Sequence, residues 1–260
     1  QSKSQSMEHF LQRINPVLTL VFRGHDICAD MLGRWYGLAK WSILIIAHLT
    51  LLILLVPELA VFRKGAGELA ANLLIALLFL SPIATIFRMR LLSLGMGLRR
   101  QIGILMGYLA VVHGVGYMSD PQFFAFFIAE HLGSGIASMD ASILVGIIGL
   151  LLTLPLLVTS NTFSMRRLGG KNWKRLHRLV YPAFLFIVLH RFFRVGGSWQ
   201  QVGPFIEASV LIGTYAVLKY LAWKPTAWPW LRWIVGQIGA RYATYRQTRA
   251  ADAISHSALK

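Results

Sequence analysis

The chain has 260 residues, 56% of them hydrophobic, and a positive mean hydropathy, more apolar surface than a soluble domain of this length keeps out of water. Its formal net charge of +16 would suit a nucleic-acid binder, but the cations are grouped between long apolar runs, the signature of membrane topology rather than of nucleic acid as a partner. The single cysteine, Cys28, excludes a disulfide within the chain and any cysteine-rich zinc or iron–sulfur site.

Residues 1–38 hold short apolar runs such as Val17 to Phe22 between Arg13 and Arg23, which suits either an amphipathic helix on the cytoplasmic membrane surface or a poorly ordered tail. They carry no apolar core followed by a small-residue cleavage site, so the first span is expected to direct insertion itself. Crossing roughly 30 Å of hydrocarbon as helix takes about 18 to 25 apolar residues. Six runs qualify: Trp41–Phe62, Glu68–Phe87, Gln101–Met118, Ala141–Ser160, His177–Phe193 and Pro204–Trp223. Pro121 to Leu132 is apolar but too short to span, and reads as a segment at the surface or dipping back. After the sixth span, Trp223, Trp228, Trp230 and Trp233 alternate with Lys224, Arg232 and two prolines, as expected along the headgroup region; the polar stretch Arg246–Lys260 is a partner contact or a solvated tail.

With a cytoplasmic N-terminus, all but Arg63, Lys64, Arg191 and Arg194 of the 26 lysines and arginines fall on the cytoplasmic side. The positive-inside rule therefore supports an even number of spans. The expected architecture is an all-α integral membrane protein of the inner membrane: a six-transmembrane-helix bundle over residues 39–223, both termini cytoplasmic, with interfacial extensions at 1–38 and 224–260, and with membrane lipid as its first partner.

Histidine inside a membrane helix is costly unless its ring nitrogens find partners. His113 lies about 13 residues into the third span and His190 equally far into the fifth, which runs in the same direction. Both therefore lie about 20 Å above the cytoplasmic entry of their helices. Two imidazoles at one depth suit the axial ligands of a b-type haem, although a single histidine on an apolar helix is more often a hydrogen-bonded structural residue. Gly103, Gly107, Gly114 and Gly116 on the third span make room for a ring or for close helix packing. His177, 13 residues before His190, is a candidate for a second haem or a flavin near the inner surface. An ideal helix sets the two about 140° apart in azimuth, a mismatch that Pro182 is placed to re-phase. His48 in the first span is a fourth candidate ligand, a quinone contact or a backbone-bonded residue. His131 beside Glu130 reads as exposed, and His9, His25 and His256 as tail residues.

Between the fourth and fifth spans, Arg166, Arg167, Lys171, Lys174, Arg175 and Arg178 place six cations within 13 residues. With Arg99 and Arg100 they suit haem propionates, a flavin phosphate or lipid headgroups. The order Thr159-Ser160-Asn161, Ser164, Arg166-Arg167-Leu168-Gly169, then Trp173 to Tyr181 and Leu189-His190, resembles the fourth-to-fifth-helix region of the MsrQ (YedZ) family. That family groups haem-bearing subunits within the ferric reductase-like transmembrane superfamily. Arg99-Arg100 with Leu105 to His113 is similar to its third helix, and the resemblance covers roughly residues 68–223.

The resemblance implies haem b, one or two, associated with His113, His190 and His177, with FMN as a further cofactor. It also implies electron transfer from a cytoplasmic flavin reductase or quinol donor to a periplasmic redox partner, a molybdenum enzyme repairing methionine sulfoxide, or into a larger complex. The superfamily pairs histidines on its third and fifth helices around two stacked haems; here Arg99 and Arg100 stand where the inner third-helix histidine would be. Two further readings are a haem-poor structural or assembly subunit, and a ferric reductase acting at the outer face. No soluble nucleotide-binding module is recognisable outside the spans, so reductant is expected from a partner or quinol.

Overall fold

The computed structural model describes residues 13, 15–129, 141–194, 202–224 and 229–258. Helix α1 (Asn15–Arg34) is followed by α2 (Tyr36–Leu49), the single turn α3 (Leu52–Leu55) and a 3-10 stretch, Pro57–Phe62. Then come α4 (Arg63–Phe87), α5 (Arg90–Met118), α6 (Pro121–Phe127), α7 (Ala141–Val158) and α8 (Thr162–Leu176). A 3-10 turn, His177–Leu179, leads into α9 (Val180–Arg194), and α10 (Val202–Trp223) and α11 (Pro229–Ala258) complete the order, with no strand among the described residues. Six helical stretches are long and apolar enough to cross a membrane, as expected: Tyr36–Leu55, Glu58–Phe87, Arg90–Met118, Ala141–Val158, Thr162–Arg194 and Gly203–Trp223.

Several boundaries differ from the sequence expectations. The first span begins and ends earlier than Trp41–Phe62, because Val56 turns extended (φ −109°, ψ 110°) ahead of Pro57, the conformation that a following proline enforces. Residues 57–62 thereby belong with the second span. The basic segment before His177, read as a loop, is helix α8. Asn161 caps it by accepting the Ser164 N–H at 2.7 Å, its Arg, Lys, Leu and Met residues favour helix, and only Gly169 (φ 72°) breaks it. A 3-10 turn, His177–Leu179, precedes Pro182, which stands in the first turn of α9, where a missing N–H leaves no helical bond broken. The stretch from Arg246 continues α11 rather than forming a free tail. Asp120 caps α6 through the Gln122 and Phe123 N–H groups, so Pro121 to Phe127 is a short helix. His9, Glu130, His131, Asp140 and Trp228 lie outside the described residues, as do the side chains of Trp230, Arg232 and His256.

The chain divides into two compact units, one drawn from Gln1–Gly37, Ser81–Gly97 and Lys219–Lys260, the other from Leu38–Leu80 and Leu98–Leu218. In the second unit, Ala66, Ala70, Leu74 and Leu78 form a stripe on α4 at four-residue spacing. They meet Met106, Leu109 and Val112 of α5 and Phe184 and Val188 of α9 in one core. The small residues on α4 permit close helix approach where lipid offers no hydrophobic driving force. His113 directly follows buried Val112, and His190 stands two residues beyond buried Val188.

In the first unit, α1 is amphipathic in an inverted sense. Phe22, Asp26 and Ala29 are buried, whereas Val17, Leu20, Val21, Ile27 and Met31 are exposed at helical spacing. Arg88, between α4 and α5, holds φ 51°, where only glycine is free of steric cost. Arg88→Val is therefore expected to destabilise the folded protein by about 1–2 kcal/mol, and Arg88→Gly to stay within about 0.5 kcal/mol of the parent. Thermal midpoints in detergent check both.

Candidate functional site

His113 on α5 and His190 on α9 face each other with ring centroids 6.1 Å apart and planes at 71°. Each ring is fixed from behind in the same way. His113 Nδ1 donates to the Arg63 carbonyl at 3.0 Å, and His190 Nδ1 donates to the Ser142 carbonyl at 2.6 Å. Both acceptors are first-turn carbonyls, of α4 and α7 respectively. A ring that donates through Nδ1 carries its lone pair on Nε2, the tautomer a metal needs, and the bond raises the ligand's basicity.

A glycine makes each contact possible. A Cβ on Gly67, one turn beyond Arg63, would stand 2.6 Å from His113 Cγ, and one on Gly146, one turn beyond Ser142, would stand 2.7 Å from His190 Nδ1. Real Cβ atoms do not approach so closely, so only glycine lets either imidazole reach the helix backbone. Tyr117, four residues after His113, packs edge-on to it at 5.3 Å.

The other expected site residues lie elsewhere. His177 stacks on Trp173 at 3.9 Å, and its Nε2 lies 3.2 Å from Thr159 Oγ1. Thr159 gives its hydroxyl proton to the Pro155 carbonyl at 2.6 Å and can only accept from the ring, so His177 carries its proton on Nε2. Trp173 Nε1 donates to the Thr159 carbonyl at 2.9 Å, closing the cluster. His48 is exposed, donates through Nδ1 to the Leu44 carbonyl of its own helix at 2.7 Å, and tilts against Tyr108. Arg166, Arg167, Lys171, Lys174 and Arg175 are exposed on α8, and Arg100 donates to Thr162 Oγ1 at 3.3 Å. Arg99 is about 21 Å along α5 from His113.

The α5 glycines serve helix packing. Gly107 and Gly114 receive Leu157 and Leu150 of α7, an antiparallel pairing at seven-residue spacing, and Gly116 receives the Arg63 side chain. Among the described residues no three His, Cys, Asp or Glu side chains gather as a metal-binding group. The paired histidines thus offer two nitrogen ligands and nothing more from those side chains.

His25, read as a tail residue, lies in the first unit with its side chain 8% exposed. Its Nε2 accepts the Leu91 N–H at 3.1 Å, leaving Nδ1–H for Asp26 at 3.2 Å. Asp26, its side chain 3% exposed, also accepts from the Tyr242 hydroxyl and from Arg249 at 3.3 Å, with Arg246 4.0 Å away. Asp30 pairs with Arg90 and with Arg249. Burial works against ionising Asp26, but the bonds from Tyr242 and His25 with Arg246 and Arg249 outweigh it and hold its carboxyl below the usual carboxylate range. Burial and the Asp26 bond push the Tyr242 phenol up to about 12.

Residues 66–188 match the family model of the ferric reductase like transmembrane component, a stretch that includes Gly67, His113, Gly146 and His177 and stops two residues short of His190. The chain is 33% identical over 150 residues to the protein-methionine-sulfoxide reductase heme-binding subunit MsrQ of Rhodospirillum rubrum, covering 58% of this chain and 68% of that protein. It is 35% identical over 172 residues to the MsrQ subunit of Rhizobium meliloti, covering 66% and 72%. Magnetosome protein MamZ of Magnetospirillum gryphiswaldense is 30% identical over 152 residues, which cover 58% of this chain but 22% of MamZ. No solved structure matches it. A six-span helical chain with these relatives is a multi-pass protein of the bacterial inner membrane and belongs to the MsrQ family.

Proposed function

We propose that this protein carries electrons across the membrane on a b-type haem held between His113 and His190. The observation that carries the reading is the 6.1 Å separation of two rings whose Nδ1 atoms are both committed to backbone carbonyls. Two imidazoles at this separation, with Nδ1 turned to backbone carbonyls, would hold a haem iron through Nε2. Bound there, haem supplies a one-electron iron couple within the hydrocarbon. The relatives named as heme-binding subunits support the same cofactor.

The chain's own residues set the environment. Leu109, Val112, Phe184 and Val188 keep water from the ligands, and the Arg63 and Ser142 carbonyls hold both rings in orientation and tautomer. His177 is committed to Thr159 and Trp173, which favours one haem over two. We assign His177, Arg99, Arg100 and the exposed cations of α8 to the cytoplasmic side, where a flavin, flavoprotein or quinol donor delivers electrons toward a periplasmic acceptor. The α1–α11 extensions are the place for further partners in a larger assembly.

His113→Ala and His190→Ala are each expected to lose most of the haem per purified protein, with size-exclusion profiles unchanged, whereas His48→Ala keeps it. Full retention of haem in both ligand variants would show the assignment to be wrong. Parent protein lacking reducible b-type absorption bands would favour the assembly-subunit reading instead.

A further inference from the structure

Resting on the haem reading above, we propose that the Arg63 guanidinium is a carboxylate-binding group of the same site and takes one haem propionate through Nε. Arg63 already touches the site from its backbone, since its carbonyl orients His113. Its side chain then runs along α5 beside Gly116, where a Cβ would stand 3.0 Å from Cδ and 3.2 Å from Nε. Gly116 is three residues beyond His113 and on the same side of the helix, so Nε lies one turn past the ligand.

That nitrogen is buried and has no hydrogen-bond partner among the described residues. A buried guanidinium N–H without an acceptor costs free energy, and such an atom beside a ligand pair marks the place of an absent acceptor. Asp120 does not fill the need. Its Oδ1 is taken by the Gln122 and Phe123 N–H groups, and among the described residues Oδ2 meets Nη1 of Arg63, at 3.3 Å.

The neighbouring cations are otherwise engaged. Lys64 is 78% exposed and near Glu68, and Arg191 donates to Asn72 and Glu207. The cations expected from sequence to hold propionates lie on α8 and at the far end of α5. A carboxylate is the acceptor an arginine fork fits best, and each haem carries two.

The test is a potentiometric titration of the whole protein in detergent, followed in the visible haem bands at several pH values. Replacing the side chain leaves the Arg63 carbonyl in place, so ligation by His113 is retained while the cation is lost. Arg63→Gln is expected to shift the reduction equilibrium about tenfold toward ferric iron, about 59 mV for a one-electron couple. The potential of that variant should also become pH-dependent as the unpaired propionate begins to titrate. Arg63→Lys keeps the charge without the fork and should shift less; it also serves if Arg63→Gln does not fold. Loss of haem from Arg63→Gln with retention in Arg63→Lys supports the assignment equally.

Asp120→Asn removes a negative charge and is expected to leave the potential unchanged or raise it. A parental potential and pH profile in Arg63→Gln overturns the proposal and leaves the haem reading standing. A fall in Asp120→Asn matching that in Arg63→Gln overturns it as well, because the two residues would then act only as a structural pair. Absence of haem from the parent protein overturns both readings.

Discussion

Gly146→Ala is expected to remove most of the haem from the purified protein, and Gly67→Ala to do so from the opposite side of the site. The added Cβ on Gly146 would stand 2.7 Å from His190 Nδ1 and 3.0 Å from Cε1, so either the ring or helix α7 must move. Moving the ring breaks its 2.6 Å bond to the Ser142 carbonyl and changes its position against His113. Overpacking of this kind costs about 1–3 kcal/mol. Ligation geometry tolerates only about 0.5 Å of displacement, and a 1.4 kcal/mol loss is about tenfold in affinity. Haem-to-protein ratio is one readout. The ferric EPR spectrum is the other, since imidazole planes at 71° give a strongly anisotropic low-spin signal that a displaced ring alters. Gly107→Ala is the control: its Cβ would meet Leu157 rather than a histidine, so stability should fall with the spectrum unchanged. Parental haem content and EPR in both Gly67→Ala and Gly146→Ala would show that the glycines do not position the ligands.

These glycines were not legible in the sequence, although the pairing of His113 with His190 was. Hydropathy and the distribution of lysine and arginine placed His113 and His190 at one depth on parallel spans, because depth depends only on counting residues along a helix. The α5 glycines drew notice through their number near His113. Gly67 and Gly146, however, matter through contacts on other helices, and nothing local separates a glycine that admits an imidazole from one that admits a leucine. The carbonyls of Arg63 and Ser142 are invisible for the same reason, since every residue carries one.

The membrane spans emerged from the sequence to within a few residues, except where Val56 and Pro57 ended the first early. The helical form of the basic run in α8 and of the polar C-terminal run was missed for a common reason. Dense charge suggested loop or tail, whereas long cationic side chains are good helix formers and those of α11 find acids on α1. His25 read as a tail residue because its partners beyond the neighbouring Asp26, Leu91 and Tyr242, lie 66 and 217 residues away in sequence.

Asp26→Ala is expected to release α11 from α1. The substitution takes the buried acceptor from the Tyr242 hydroxyl, leaves His25 Nδ1 only the Tyr242 oxygen at 3.1 Å, and strands Arg246 and Arg249 beside an apolar side chain. Each orphaned buried donor costs about 1–3 kcal/mol. The two arginines, at 51% and 48% exposure, can return to water and add less. The net effect should be one to two decades in the rate at which protease cleaves within α11, since about 1.4 kcal/mol is a decade in the opening equilibrium.

The pH dependence follows from the two shifted groups. Asp26 has a folded value below its ordinary 3.8, so its contribution is full above that pH and is lost only as pH falls through the lowered value. Tyr242 has a folded value raised from 10.0 to about 12, so its contribution is full below pH 10.0 and is lost as pH rises toward 12. As far as these two groups decide it, protection of α11 is flat between those limits and fails outside both. The haem spectrum should not change in Asp26→Ala, because His113 and His190 belong to the other compact unit. Cleavage of Asp26→Ala at the parental rate would mean that this buried cluster does not hold the two terminal helices together.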